Sequence, residues 1–313
     1  MKPVVTLGES MGLFRANSVG STIHVSDFTL GTGGAEGNVA IALARLGTPV
    51  RWLGRVGADP IGRRVLRDLR AESVEVVGIV DPDASTGMMI KEQRTADATR
   101  VQYYRSGSAG SRLSVEDLAA ADIPGAALLH VTGITPALSA SARAAVFEAI
   151  ALASSADIPV SFDVNHRASL WQEDPASVYR ELAEKSDLVF AGDDEARILF
   201  PDAATPLALA HAIAGLGPSQ VLIKLGAAGC VAVIDGVEYQ REAIAIRAVD
   251  TVGAGDAFVA GYLAELIAGL PVDDRLSTAV TLGAFACLNS GDWEGFPTRE
   301  ELGMLTRSEP VQR

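Results

Sequence analysis

Asp256 has the surroundings in this chain that most invite chemistry. It stands in "DTVGAGDAF", residues 250–258, directly after Gly253, Ala254 and Gly255 and shortly before the apolar-periodic "GYLAELIAGL". An aspartate at a helix start has an ordinary role, because its carboxylate can cap the free N–H groups of the first turn. The glycines make that role incomplete. They strip side chains from backbone whose N–H groups could bind an external anion instead. If an anion occupies those amides, the carboxylate beside it needs a different task.

Other short motifs have ordinary explanations beside chemical ones. "GESMG" (8–12) matches G-x-S-x-G, the nucleophile elbow of serine hydrolases, yet no helical period follows Ser10, so the context is wrong. The chain has no Gly-Lys pair, which excludes a P-loop, and no G-x-G-x-x-G dinucleotide fingerprint. "GTGGAEGNVAIALARLG" (31–47) is a glycine-rich loop opening a helix. Gly33 and Gly34 allow close backbone approach to a ligand, and Asn38 offers both a donor and an acceptor to hydroxyl groups. "VLIKLGAAG" (221–229) ends a strand with Lys224, Gly226 and Gly229. It is either a solvated strand end or a nucleotide loop.

The elements that must position these residues follow from hydrophobic periodicity. From about residue 110, "ALLHVTGI", "IPVSFDVN", "DLVFAGD" and "QVLIKLG" alternate with helical patterns such as "ASARAAVFEAIALASSA" and "PASVYRELAEKS". Continuous apolar strands between amphipathic helices predict an α/β fold with a mostly parallel sheet flanked by helices on both faces. Ligands in such folds bind beyond the carboxyl ends of the strands. Asp163, Asn165, Arg167, Glu195, Lys224 and Asp256 all fall at or just after strand ends.

Residues 11–32 and 87–107 break the pattern, reading as strands joined by turns. "MMIKEQ" and "TRVQYYR" form a hairpin around "TADA", with Tyr103 and Arg105 on one side. These segments predict a small β-sheet lid over the strand ends, the alternative being an edge extension of the main sheet. Residues 1–10, 33–86 and 108–313 then make up the α/β domain.

Composition narrows the class. The 313 residues are 48% hydrophobic and 21% charged, with no uninterrupted apolar run of eighteen, so the expectation is a cytoplasmic protein that neither spans nor binds a membrane. A net charge of −13 repels nucleic acid. Only Lys2, Lys91, Lys185 and Lys224 are lysines, so arginine supplies most of the positive charge for an anionic metabolite. Cys230 and Cys287, in apolar contexts, read as buried free thiols, and four scattered histidines give little support for zinc.

"DTVGAGDAF" together with "GGAEGNVAIALARLG" resembles the ribokinase-like (PfkB) family of carbohydrate kinases, across nearly the whole chain. Within it, "YYRSGSAGS", "VTGITPALS" and "DVNHR" are most similar to 2-keto-3-deoxygluconate kinases. The resemblance implies that Asp256 is the general base and that the amides of Gly253, Ala254 and Gly255 form an anion hole for the transferred phosphate. Such an arrangement is physically coherent, because preorganised amides stabilise charge building on phosphoryl oxygens while a carboxylate takes the hydroxyl proton. It further implies sugar contacts from Gly33, Gly34, Asn38 and Ile134. Tyr103, Arg105 and Arg167 would meet the keto and carboxylate groups, where an arginine fork suits two carboxylate oxygens. Lys224, Gly226 and Gly229 would form the nucleotide loop, with Asn289 near adenine. Glu195 would order magnesium through water.

Three residues depart from the family pattern. Gly192 stands where the family's N-x-x-E motif begins with asparagine, Met89 where an aromatic lid residue is common, and His166 where tyrosine is common. The expected activity is ATP- and magnesium-dependent phosphorylation of a primary hydroxyl, foremost the 6-position of 2-keto-3-deoxygluconate, with a monovalent cation left open. The alternatives are a fructokinase- or ribokinase-type enzyme and a catalytically silent sugar-binding regulator. The presence of Asp256 speaks against the regulator, since a sensor needs no base. Exposed lid edges would suit a homo-oligomer.

Overall fold

A computed structural model describes residues 1–95 and 98–306. Its strands are β1 (Val4–Leu7), β2 (Met11–Ala16), β3 (Phe28–Gly33), β4 (Val50–Gly57), β5 (Glu75–Asp81), β6 (Met88–Thr95) and β7 (Ala98–Tyr104). They continue as β8 (Leu128–Thr132), β9 (Val160–Asp163), β10 (Leu188–Gly192), β11 (Gln220–Lys224), β12 (Cys230–Ile234) and β13 (Val237–Arg241). The helices are α1 (Ala35–Arg45), α2 (Pro60–Ala71), α3 (Thr135–Leu138), α4 (Ala140–Ser155) and α5 (Ala176–Glu184). After them come α6 (Asp193–Leu199), α7 (Pro206–Ala214), α8 (Ala254–Ile267) and α9 (Val272–Ala286).

The main sheet runs β13-β12-β11-β10-β9-β8-β1-β4-β5. It is parallel from β5 to β11, and only β12 and β13 are antiparallel. Side chains alternate across it, and the two faces bury separate cores. Val4, Leu128, Leu188, Phe190 and Leu222 face α1, α2, α8 and α9. Val5, Leu129, Val189, Ala191 and Val221 face α4 to α7. Burial on both faces explains why the strands read as continuous apolar runs.

Helix starts are written locally. Asp59 accepts the Gly62 N–H at 2.7 Å ahead of Pro60 in α2, and Ser139 and Thr205 cap α4 and α7 in the same way. Phe190 packs edge-on against Phe258 and Tyr262, at 6.4 and 5.6 Å between centroids, and so anchors α8 to the sheet. Losing such a buried ring costs about 3–5 kcal/mol.

The segments without helical period form a second sheet of their own, ordered β3-β2-β6-β7, rather than an edge of the first. Its small core is Met11, Leu13 and Met89, with Val101 and Tyr103 packed alongside. β6 and β7 pair as the expected hairpin, with a bulge between Gln93 and Thr95. Ala96 and Asp97 of the "TADA" turn lie outside the described residues. Among the described residues no helix is long and apolar enough to cross a membrane. Cys230 and Cys287 are free thiols, the first buried and the second half-buried.

Candidate active site

The site is assembled at the start of α8. Gly253 precedes the helix at φ 80°, and a Cβ there would lie 2.0 Å from the Asp292 carbonyl oxygen. Only glycine fits that turn. No side chain caps α8, so its first N–H groups keep the electropositive character of a helix N-terminus. Asp256, in the first turn, turns away from the capping position. Its Oδ2 accepts from Asn38 Nδ2 at 2.8 Å and its Oδ1 from Asn165 Nδ2 at 3.0 Å. Burial pushes its carboxyl up to about 7, with Asp163 adding to the shift and Asn38, Arg167 and Lys224 opposing it. A carboxylate tuned near neutrality suits a general base.

Two cavities meet at this helix start. The first is lined by Gly34, Asn38, Tyr103, Arg105, Ile134, Arg167, Gly253 and Asp256, and closed from above by Met89 and Val101 of the small sheet. Gly34, at φ 145°, sits so close to the Glu9 carbonyl that a Cβ would lie 2.4 Å from it. Gly33 is buried one residue earlier and does not line the cavity. The second cavity, about 570 Å³, is lined by Lys224, Gly226, Gly229, Ala254 and Gly255 and by an apolar wall that includes Ile244, Ile246 and Val280. The first has room for only about 60 Å³.

Three further acidic residues line the first cavity and were not singled out by sequence. Glu9 ends the β1 loop, a position the strand-end rule could have flagged. Glu36 lies inside "GGAEGN"; it accepts from Thr132 and Thr135 hydroxyls at 2.7 and 2.6 Å, and burial raises its carboxyl above the usual range. Asp292 sits in an irregular turn after α9, where no local pattern points to it; burial pushes it up to about 6.

Several expected residues carry other duties. Arg105 lines the cavity, but its Nε and Nη2 both lie on Glu9 Oε2, at 2.7 and 2.6 Å, and Ser108 bonds the other Glu9 oxygen. The expected open fork is therefore turned largely toward a protein carboxylate. Arg167 is freer, donating to the His166 carbonyl at 3.0 Å. Burial opposes its charge, and Asp256, Tyr103, Glu195 and Asp163 more than restore it.

Lys224 Nζ bonds both Asp163 oxygens, at 2.7 and 2.9 Å, and stands 3.5 Å from where a Cβ on Gly255 would be. Burial works against its charge, but Asp163, Glu195 and Asp256 hold its pKa above the ordinary value. Asn289 is exposed and lies off the second cavity. Val280, Gly283 and Ala284 on one face of α9 line it instead, with Cys287 at the end of that helix, and Asn289 two residues on is outside it.

Glu195 caps α6. Its Oε2 accepts the Gly192 N–H at 2.6 Å and its Oε1 the His166 N–H at 2.8 Å. Among the described residues no group of three or more His, Cys, Asp or Glu could hold a metal ion directly. A carboxylate fixed by two amides, with lone pairs remaining, fits a magnesium ion held through water rather than one ligated by the protein.

The sequence model for the pfkB family carbohydrate kinases matches residues 1–299. A 2-dehydro-3-deoxygluconokinase of Bacillus subtilis (strain 168) is 37% identical over 303 residues, 95% of this chain and 93% of that protein. A fructokinase of Klebsiella pneumoniae is 34% identical over 284 residues, covering 86% of this chain and 90% of its own. The crystal structure of a PfkB protein from Polaromonas sp. JS666 superposes with a TM-score of 0.88 at 35% identity, over 97% of this chain and 99% of that one. With the match extending from the β1 strand past the Asp256 helix, the chain belongs to the pfkB family of carbohydrate kinases.

Proposed function

We propose that this kinase transfers the γ-phosphate of ATP to the 6-hydroxyl of 2-keto-3-deoxygluconate, with Asp256 as the base. The enzyme class is that of the family, a phosphotransferase with an alcohol acceptor. The observation that carries the reading is the position of Asp256 and the uncapped α8 start between two cavities. In this reading the sugar occupies the cavity under the small sheet and ATP the apolar one. Asp256 takes the proton from the sugar hydroxyl, whose oxygen bonds to the γ-phosphorus as the bond to the bridging oxygen breaks and ADP departs. The Gly253–Gly255 amides meet the charge on the transferred phosphoryl group. Asn38 and Asn165 hold the carboxylate in place. Lys224 adds positive charge next to Gly255. Glu195 would hold magnesium through water, and the ion would neutralise nucleotide phosphate charge.

Arg167 supports an acidic sugar, since it faces the cavity with a charge that burial has not removed. The Bacillus subtilis relative carries the name of a kinase for this compound under its other name, 2-dehydro-3-deoxygluconate. One observation favours a second reading: Arg105 is already paired with Glu9, which leaves less charge for a substrate carboxylate and would suit a neutral ketose. A phosphoryl-transfer panel of 2-keto-3-deoxygluconate, gluconate, fructose, ribose and an aminosugar separates the two. Charge-assisted bonds are worth about 1.5–3 kcal/mol each, so neutral sugars should lose about tenfold or more. Arg167→Ala should then erode the preference for the acidic sugar far more than it slows a neutral one. If fructose or ribose is the best substrate and Arg167→Ala affects all sugars equally, the acidic-sugar reading fails and the kinase remains.

A further inference from the structure

Lys91 is the one lysine of the small sheet, and its ammonium lies outside the sugar cavity. It projects from β6, with 4% of its side chain exposed, to within 2.5 Å of Asp250 Oδ2 and 3.8 Å of Asp292 Oδ1. It also donates to the Gly291 carbonyl at 2.9 Å. These acceptors belong to the two segments that shape the start of α8. Asp250 accepts the Val252 N–H at 3.2 Å and the Gly291 N–H at 3.4 Å, and Gly253 packs on the Asp292 carbonyl.

Carboxylate and carbonyl oxygens thus converge on one compact positive charge, where potassium or ammonium would satisfy the same set. Without that charge, Asp250 and Asp292 would be left as buried carboxylates with no cation between them, which is a costly arrangement. The charge is tethered to the sheet that covers the sugar. Seating the lid and completing the turn before α8 are therefore one event.

We propose that Lys91 is a tethered cation: the lid delivers its ammonium to Asp250 and Gly291, fixes the turn that presents the α8 amides, and takes the place of a free monovalent ion. The role is one of positioning, and it rests on the reading of that turn as the anion hole.

The test compares wild type and Lys91→Ala in potassium, ammonium, sodium and choline chloride at matched ionic strength, following sugar phosphorylation and thermal unfolding. Wild-type rates should be the same in all four salts. Lys91→Ala in choline should lose about tenfold to a hundredfold in kcat, the scale of a misplaced catalytic group, with a smaller change in the KM for sugar. Potassium or ammonium should restore much of that loss, and should raise the variant's melting temperature more than that of wild type. Wild-type stimulation by potassium overturns the proposal. So does an alanine variant that keeps its kcat, or one whose loss no cation relieves, which would leave Lys91 merely structural. Should Lys91→Ala fail to fold, Lys91→Gln enters the same series. A wild type that phosphorylates no sugar would refute the kinase chemistry, and the melting series would still decide whether Lys91 supplies the cation.

Discussion

Asp256 shows how far a single carboxylate can be set by its surroundings. Burial raises it from 3.8 to about 7, while two asparagine amides orient it without supplying a proton of their own. Asp256→Asn keeps the shape and removes the base, so turnover should fall by about 10²–10⁴-fold with sugar binding little changed. In wild type, kcat/KM should fall about tenfold per pH unit below 7, as the base takes up a proton. Stability moves the other way. The folded chain holds the Asp256 proton at pH values where the unfolded chain has released it. That contribution is complete below pH 3.8 and is lost as pH rises through about 7. The melting temperature of Asp256→Asn relative to wild type should therefore climb between pH 5 and 8. A flat difference, or a variant with most of its turnover, would return Asp256 to a structural role. Sequence pointed to this residue because its motif is local. It could not show that Arg105 would pair with Glu9, since those residues lie 96 positions apart and meet only through the fold.

At the scale of elements, the proposed chemistry depends on α8 beginning where it does. Gly253 supplies a left-handed turn pressed against the Asp292 carbonyl, and Phe190 locks the helix to the sheet. Gly253→Ala should cost at least tenfold in kcat, about 1.4 kcal/mol in barrier, because the amides must shift to relieve the contact. Its KM for ATP should change less. Equal loss in kcat for Gly269→Ala, also at positive φ but with open space around it and outside both cavities, would mean that stability rather than anion-hole geometry is being read. The parallel strands were legible because a strand buried on both faces must be a continuous apolar run, as in "LVFAG" of β10. The strands of the small sheet were legible because their segments carry no helical period. The lining of the larger cavity beside Lys224 was less so. Its apolar wall includes residues 243–246 and Ala248, which form no strand or helix, and one face of α9 that leaves Asn289 outside. Nothing in a local pattern says which face of a helix borders a cavity.

For the whole molecule, the contrast between the cavities sets the order of events. The cavity beside Lys224 has room for about 570 Å³ and the one under the small sheet about 60 Å³, so on the proposed assignment ATP would find room in this form before the sugar would. On that assignment a sugar would need more room than the smaller cavity has, and lifting β6 and β7 would supply it against two buried ion pairs: Arg105, just after β7, with Glu9, and Lys91 of β6 with Asp250. Covering the sugar again would exclude water from the phosphoryl group and restrain idle ATP hydrolysis. Hydrogen exchange should therefore be faster in β6 and β7 than in β8 to β10 without sugar, and should slow at saturating sugar. Glu9→Gln removes the charge from one clasp, so exchange in the lid strands should rise further and fall back when sugar binds. Because the sugar itself rebuilds the closed state, the variant should lose more in apparent sugar affinity than in turnover at saturation. Exchange in β6 and β7 that ignores saturating sugar, in wild type and Glu9→Gln alike, would make the small sheet a rigid wall rather than a lid.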